Sequence, residues 1–125
     1  MEPRPTVVAI VDDDPRLLES LGDLLESAGF RVRAFSSATA LLEEASLNEI
    51  DCLVTDIGMP VIDGHELRRR ATRLRPSLPV IFITGDARGF ASARSGDASD
   101  SECFHKPFDS NALIASICRV VPAKP

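Results

Sequence analysis

Five short apolar runs rich in β-formers, separated by segments of helical period, restrict this chain to very few architectures. Val7-Val8-Ala9-Ile10-Val11 shows no polar alternation, as expected of a strand covered on both faces. Arg31 to Phe35 reads as a second, more exposed strand, with Val32 alternating against Arg31 and Arg33. Cys52-Leu53-Val54-Thr55 ends at Asp56, and Pro79-Val80-Ile81-Phe82-Ile83 ends at Thr84-Gly85. Cys103-Phe104-His105 is a brief fifth strand before Lys106-Pro107. Strands alternating with helices imply an α/β fold whose parallel sheet carries helices on both faces. Right-handed crossovers then leave few topologies.

The connecting segments carry start and stop signals. Asp14 can cap a helix whose first turn suits Pro15. Leu17, Leu18, Leu21, Leu24, Leu25 and Ala28 recur on one face of it until Gly29 provides a stop. Ser37 is placed to cap a short helix through Leu41, Leu42 and Ala45. Gly58-Met59-Pro60 and Asp63-Gly64 read as loop, the latter as a simple turn, and His65 to Leu74 as helix. Asp109 caps a last helix whose Leu113, Ile114, Ile117, Cys118 and Val121 form the inward stripe. The fourth connection, Asp86 to Glu102, departs from this regularity. It contains Gly89, Gly96 and four serines, with Phe90 its only large apolar residue, so a weak fourth helix is expected there.

No repeat or linker divides the 125 residues, which read as a single domain over 1–125 with its core at about 7–121. A net charge of -5 argues against this chain alone gripping a phosphate backbone. The cluster Arg68, Arg69, Arg70, Arg73 and Arg75 has helical spacing and reads as a solvated face. Cys52, Cys103 and Cys118 are widely spaced, without the paired C-x-x-C pattern of a zinc site, and fit a reducing compartment. No run approaches the ~20 apolar residues of a membrane span. The apolar run after Met1 to Pro5 is too short for a secretory leader. A soluble, cytoplasmic protein without membrane contact is expected.

Polar residues fall at the carboxyl ends of the strands: Asp12 and Asp13 after the first, Asp56 after the third, Thr84 after the fourth, Lys106 after the fifth. In an open α/β sheet that edge is where ligands bind, near the point where strand order reverses. Three carboxylates, a hydroxyl and an amine should therefore converge. Two like charges about 4 Å apart repel by about 4 kcal/mol at an effective dielectric of ~20. A cation must offset them, and oxygen donors select a hard ion, with Mg²⁺ the best candidate. Lys106 supplies a fixed positive charge opposite. Such a set suits phosphoryl transfer to a carboxylate nucleophile, by neutralising charge and positioning reactants in line.

Each residue also has a blander reading. Asp12 and Asp13 could be an acidic helix start, but Asp14 and Pro15 already serve there. Asp56 could be a turn residue, Thr84 a β-branched strand end, and Lys106 a solvated loop charge; their joint placement at one edge favours a site. His65 and His105 lack partners at metal spacing and read as ordinary surface or strand positions.

Five motifs carry a family resemblance: Val11-Asp12-Asp13-Asp14, Thr55-Asp56-Ile57-Gly58-Met59-Pro60, Asp63-Gly64, Ile83-Thr84-Gly85 and Lys106-Pro107-Phe108. In order and spacing they resemble the signature of bacterial two-component receiver domains, the CheY-like superfamily, and are most similar in wording to receivers of the FixJ nitrogen-fixation regulator type. The resemblance runs from about Val7 to Val121. It implies a flavodoxin-like five-stranded sheet of order 2-1-3-4-5. It further implies Asp56 as phosphoacceptor, with Mg²⁺ held by Asp13, Asp56 and the backbone carbonyl of Gly58, and by Asp12 through water. Thr84 would bond a phosphoryl oxygen and Lys106 would form an ion pair, with a cis bond between Lys106 and Pro107.

Two departures stand out. The family usually has an aromatic three residues before the lysine, which swings inward with the threonine; here that position is Cys103. Phe104 lies one residue on, hence on the opposite face of a strand, and reads as core. Asp86, two residues after Thr84, could orient a hydrolytic water or simply be solvated; both readings stand.

The combined reading is a response-regulator receiver, phosphorylated on Asp56 by a sensor histidine kinase, that switches an output such as transcription. It is not a metabolic enzyme: phosphoryl acceptance and loss are self-catalysed. Pairing as a homodimer would use the fourth helix, fifth strand and last helix, and DNA would be reached only through an output domain not in this chain. A pseudo-receiver interaction module and an aspartyl-phosphate phosphatase are the rivals. The phosphatase would want a second acid where Gly58 stands.

Overall fold

The computed structural model describes residues 5–44, 47–84, 102–105 and 109–121. Gly85, Asp86, the expected fourth helix, Lys106 and the bond to Pro107 lie outside the described residues, as does much of the expected pairing face. The elements are β1 (Val7–Val11), α1 (Pro15–Ser27), β2 (Arg31–Phe35), α2 (Ala38–Glu44), a 3-10 turn (Leu47–Glu49), β3 (Cys52–Asp56), α3 (Gly64–Leu74), β4 (Val80–Thr84), β5 (Glu102–His105) and α4 (Ser110–Val120). The five strands form one parallel sheet in the order β2-β1-β3-β4-β5.

Every residue of β1, β3 and β4 is buried, which explains their unbroken apolar runs, whereas the edge strand β2 buries only Phe35. Arginine covers that edge: Arg33 lies over the Phe35 ring at 5.6 Å and 3.8 Å from Glu49. Alternation along the strands divides the core in two. Ala9, Val11, Leu53 and Phe82 face α2 and α3, through Ala38, Leu41, Leu67 and Ala71. Val8, Ile10, Val54, Ile81 and Ile83 face α1 and α4, through Leu21, Leu25, Leu113 and Ile117.

The expected caps form. Asp14 accepts a hydrogen bond from the Arg16 amide and Asp109 from that of Asn111; the Ser37 hydroxyl accepts from that of Ala40. Gly29 closes α1 at φ 97°, in the left-handed region that glycine enters at no steric cost. At the amino end of the sheet, buried Asp51 accepts from the Val7 amide at 2.8 Å and its own amide donates back to the Val7 carbonyl, which fixes β3 against β1.

Four expectations need correction. Cys118 is exposed on α4, and Ser116 takes the inward position with Leu113 and Ile117, because the helical turn carries position 118 past the core. Asp63-Gly64 is more than a turn: Asp63 caps α3 through the Glu66 amide, and Gly64 is its first residue. His65 is half-buried rather than superficial, its ring 5.1 Å from that of Phe82. The arginine cluster is not uniformly solvated either. Arg69 and Arg70 bind Glu66 at 2.7 and 2.9 Å, but Arg75 turns inward and donates to the carbonyls of Leu47 and Ile50.

Candidate phosphoacceptor and metal site

β1 is flanked by β2 on one side and β3 on the other, so the chain leaves β1 in one direction and continues the sheet in the other. The crevice opened by that reversal lies at the carboxyl ends of β1 and β3. Val11 and Thr55 are paired in register, so Asp12 and Asp56 emerge side by side. Parallel pairing thus brings together acids far apart in sequence.

Carboxylate oxygens of Asp12, Asp13 and Asp56 lie within 4.8 Å of one another, the one acidic group of this kind among the described residues. Asp12 and Asp56 are buried, 1% and 6% exposed, while Asp13 opens to solvent. Asp12 is held from two sides. Its amide donates to the Phe35 carbonyl at 3.2 Å, and its Oδ1 accepts from the Asp14 amide at 2.8 Å. The backbone beyond Asp56 is equally fixed: the Ile57 amide donates to the Ile83 carbonyl, and the Thr55 hydroxyl donates to the Asp56 carbonyl.

A hard divalent ion fits this set. With Mg–O bonds of about 2.1 Å, ligands on opposite sides of an octahedron lie about 4.2 Å apart. The acids need close little or not at all to share an ion directly or through its water. All donors are oxygens, and three like charges in a partly dry pocket favour a cation.

Thr84 ends β4, one residue beyond the Ile83 that pairs with Asp56, and is 1% exposed. Gly58 is exposed in the loop two residues past Asp56. β5 ends at His105, the partner of Thr84 in the sheet register; Lys106 lies outside the described residues. Cys103 packs on the α2/α3 face beside Phe82, and half-buried Phe104 on the α1/α4 face, as strand alternation required.

Three residues near the site carried no functional reading in the sequence. Gly64 lies against the backbone of Asp56 and Ile57, Val61 takes a left-handed φ of 70° while 96% exposed, and His65 stacks inward. A glycine opening a helix was the available signal for the first. Nothing in the sequence marks Val61.

The family profile described as the response regulator receiver domain matches residues 8–118. The chain belongs to the response regulator receiver domain family. The receiver is 36% identical over 117 residues to the response regulator protein TmoT of Ectopseudomonas mendocina, covering 94% of this chain and 53% of TmoT. It is 34% identical to the response regulator receiver protein CpdR of Brucella abortus, covering 93% of this chain and 97% of CpdR. It superposes on the crystal structure of FixJ-N with a TM-score of 0.80 at 32% identity, covering 98% of this chain and all of that one. The chain thus spans about half the length of TmoT and nearly all of CpdR. Among its described helices, none is long and apolar enough to cross a membrane.

Proposed function

We propose that this receiver accepts a phosphoryl group on Asp56 from the phosphohistidine of a sensor kinase, and that the modification switches an output. The observation that carries this reading is the gathering of the Asp12, Asp13 and Asp56 carboxylates within 4.8 Å. In the transfer, an Asp56 carboxylate oxygen attacks phosphorus opposite the histidine nitrogen. The O–P bond forms as the N–P bond breaks, and the departing electron pair stays on the imidazole, which takes up a proton.

Asp13, Asp56 and the Gly58 carbonyl would hold Mg²⁺ directly, and Asp12 through water. Bound there, Mg²⁺ supplies charge neutralisation for the carboxylate and the phosphoryl oxygens. The Thr84 hydroxyl would donate to a phosphoryl oxygen, and Lys106 would pair with the phosphoryl charge. The acyl phosphate adds roughly 1.5 to 2 negative charges to a pocket already holding three acids. New charge of that size biases a pre-existing two-state equilibrium of the surrounding segments. The activity is acceptance and loss of one group, not turnover of a metabolite.

The partner is a cytoplasmic kinase domain. Transcription is the output favoured by relatives such as the transcriptional regulatory protein FixJ of Azorhizobium caulinodans, with DNA contacted by a separate output domain. The test is labelling with a small acyl phosphate donor and Mg²⁺, read by intact mass. One phosphoryl group should be added, and Asp56→Asn or chelation of Mg²⁺ should abolish it. Equal labelling of Asp56→Asn would refute the assignment.

A further inference from the structure

Gly64 opens α3 at a point where the helix meets the strand end that bears Asp56. Its amide donates to the Ile57 carbonyl at 2.8 Å. A methyl group at position 64 would lie 2.8 Å from the Ile57 Cα, 3.1 Å from the Asp56 carbonyl carbon, and closer still to the Asp56 carbonyl oxygen. Ordinary contact begins near 3.4 Å, and every atom named is backbone, which has no rotamer to move aside.

The helix has little freedom to retreat. Asp63 caps its first turn, Leu67 and Ala71 are fully buried in the core, and Arg75 ties its last turn to the Leu47 and Ile50 carbonyls. Next to Gly64, the His65 ring packs on Phe82, a fully buried side chain of β4 two residues before Thr84. Among the described residues the buried His65 Nε2 has no hydrogen-bond partner, and the contact that holds the side chain is the one with the Phe82 ring.

From this geometry we propose that Gly64 is a positioning residue for Asp56: the first turn of α3, held on β4 through His65, sets where the Asp56 backbone lies relative to Asp12 and Asp13. The proposal rests on Asp56 being the phosphoacceptor. The helix and sheet are both anchored, so the strain of an added methyl falls on the Asp56–Ile57 peptide. A displacement of roughly one ångström at a reacting group can cost on the order of a hundredfold in rate.

The test compares wild type, Gly64→Ala and the control Gly22→Ala, where the added methyl meets Val32 and Ile10 at 3.8 and 4.0 Å. Two readouts are needed: the Mg²⁺ midpoint of the folded protein by NMR titration, and the rate of labelling by an acyl phosphate donor. Gly64→Ala should raise the Mg²⁺ midpoint at least severalfold and slow labelling by about ten- to a hundredfold, with Gly22→Ala unchanged. An unchanged midpoint, with labelling lowered only in proportion to the unfolded fraction, would overturn the proposal by making Gly64 merely structural.

If Gly64→Ala does not fold, His65→Ala decides. Loss of the Phe82 contact should raise the midpoint, and His65→Phe, which keeps a ring on Phe82, should restore it. An unmoved midpoint in His65→Ala would then overturn the proposal. A wild type that neither binds Mg²⁺ nor is labelled would instead overturn the phosphoacceptor reading itself, and the positioning role with it.

Discussion

Removing the charge of Asp13 should stabilise the metal-free protein and weaken its response to Mg²⁺. Asp13 faces two carboxylates within 4.8 Å and is exposed. At an effective dielectric of ~20, each pair at that separation repels by about 3.5 kcal/mol. Solvent screening around the exposed partner cuts this to the range of about 0.2–1 kcal/mol measured for exposed pairs, so two pairs amount to about 0.4–2 kcal/mol. Asp13→Asn keeps the shape of the side chain and deletes both repulsions. For a domain of this size, the melting temperature in EDTA should rise by about 5 °C. Saturating Mg²⁺ reverses the order. A ligand at one hundred times its dissociation constant stabilises by about 2.7 kcal/mol, and wild type should gain most of that while Asp13→Asn gains little. Salt at ~1 M, with a Debye length of about 3 Å, should shrink the metal-free gap. Thermal melts of both proteins in EDTA and in Mg²⁺ provide the assay. Identical melting temperatures in EDTA with identical Mg²⁺ increments would refute the claim that these acids form one electrostatically coupled pocket.

Other consequences are independent of the metal. Val61 is β-branched at φ 70° and 96% exposed, so Val61→Gly relieves left-handed strain of about 1–2 kcal/mol against a glycine entropy cost of about 0.5–1 kcal/mol. It should unfold at higher urea than Val61→Ala, and the reverse order would exclude strain there. Arg75→Ala leaves the Leu47 and Ile50 carbonyls without their charged donor and should cost about 1.5–3 kcal/mol in urea unfolding, whereas Arg73→Ala on the exposed face should change little. Burial, with Asp51 beside it, pushes the Cys52 thiol up to about 12, so a maleimide should modify exposed Cys118 in the native protein and reach Cys52 only after unfolding, as read by peptide mass. Arg69 and then Arg70 hold the Glu66 carboxyl below its ordinary value of 4.5. That contribution is complete above 4.5 and lost as pH falls through the lowered value, so Glu66→Gln should flatten the most acidic limb of the stability profile.

The parts of this molecule legible in its sequence are those fixed by periodicity. A strand buried on both faces has an unbroken apolar run, and where the run stops the next side chain must stand at the sheet edge. Asp12, Asp56 and Thr84 were located by that rule alone, and parallel register did the rest. The same alternation separated Cys103 from Phe104, one residue apart and on opposite faces of the sheet. Helix caps were equally legible, because Asp14, Ser37 and Asp109 each offer an oxygen where amides lack partners. Cys118 was misplaced for a related reason: a helix rotates about 100° per residue, and a stripe drawn one residue too wide leaves the core.

What stayed hidden depends on approach between elements rather than on the pattern within one. Gly64 looks like a turn residue until α3 is docked against the end of β3, when the missing side chain becomes the space that the Asp56 carbonyl occupies. Arg75 looks like one more charge on a polar helix until the turn at Leu47–Glu49 and the residue after it bring the Leu47 and Ile50 carbonyls within its reach. Val61 breaks local preference outright, since a β-branched residue is an outlier at a left-handed position. Such a conflict persists only where neighbouring structure dictates the backbone, and here Val61 sits between Asp56 and the helix start that Gly64 presses against it. The residues that sequence reading finds easily supply the acids of the site. Of those it misses, Gly64 is the one whose lack of a side chain lets α3 meet the strand end that carries Asp56.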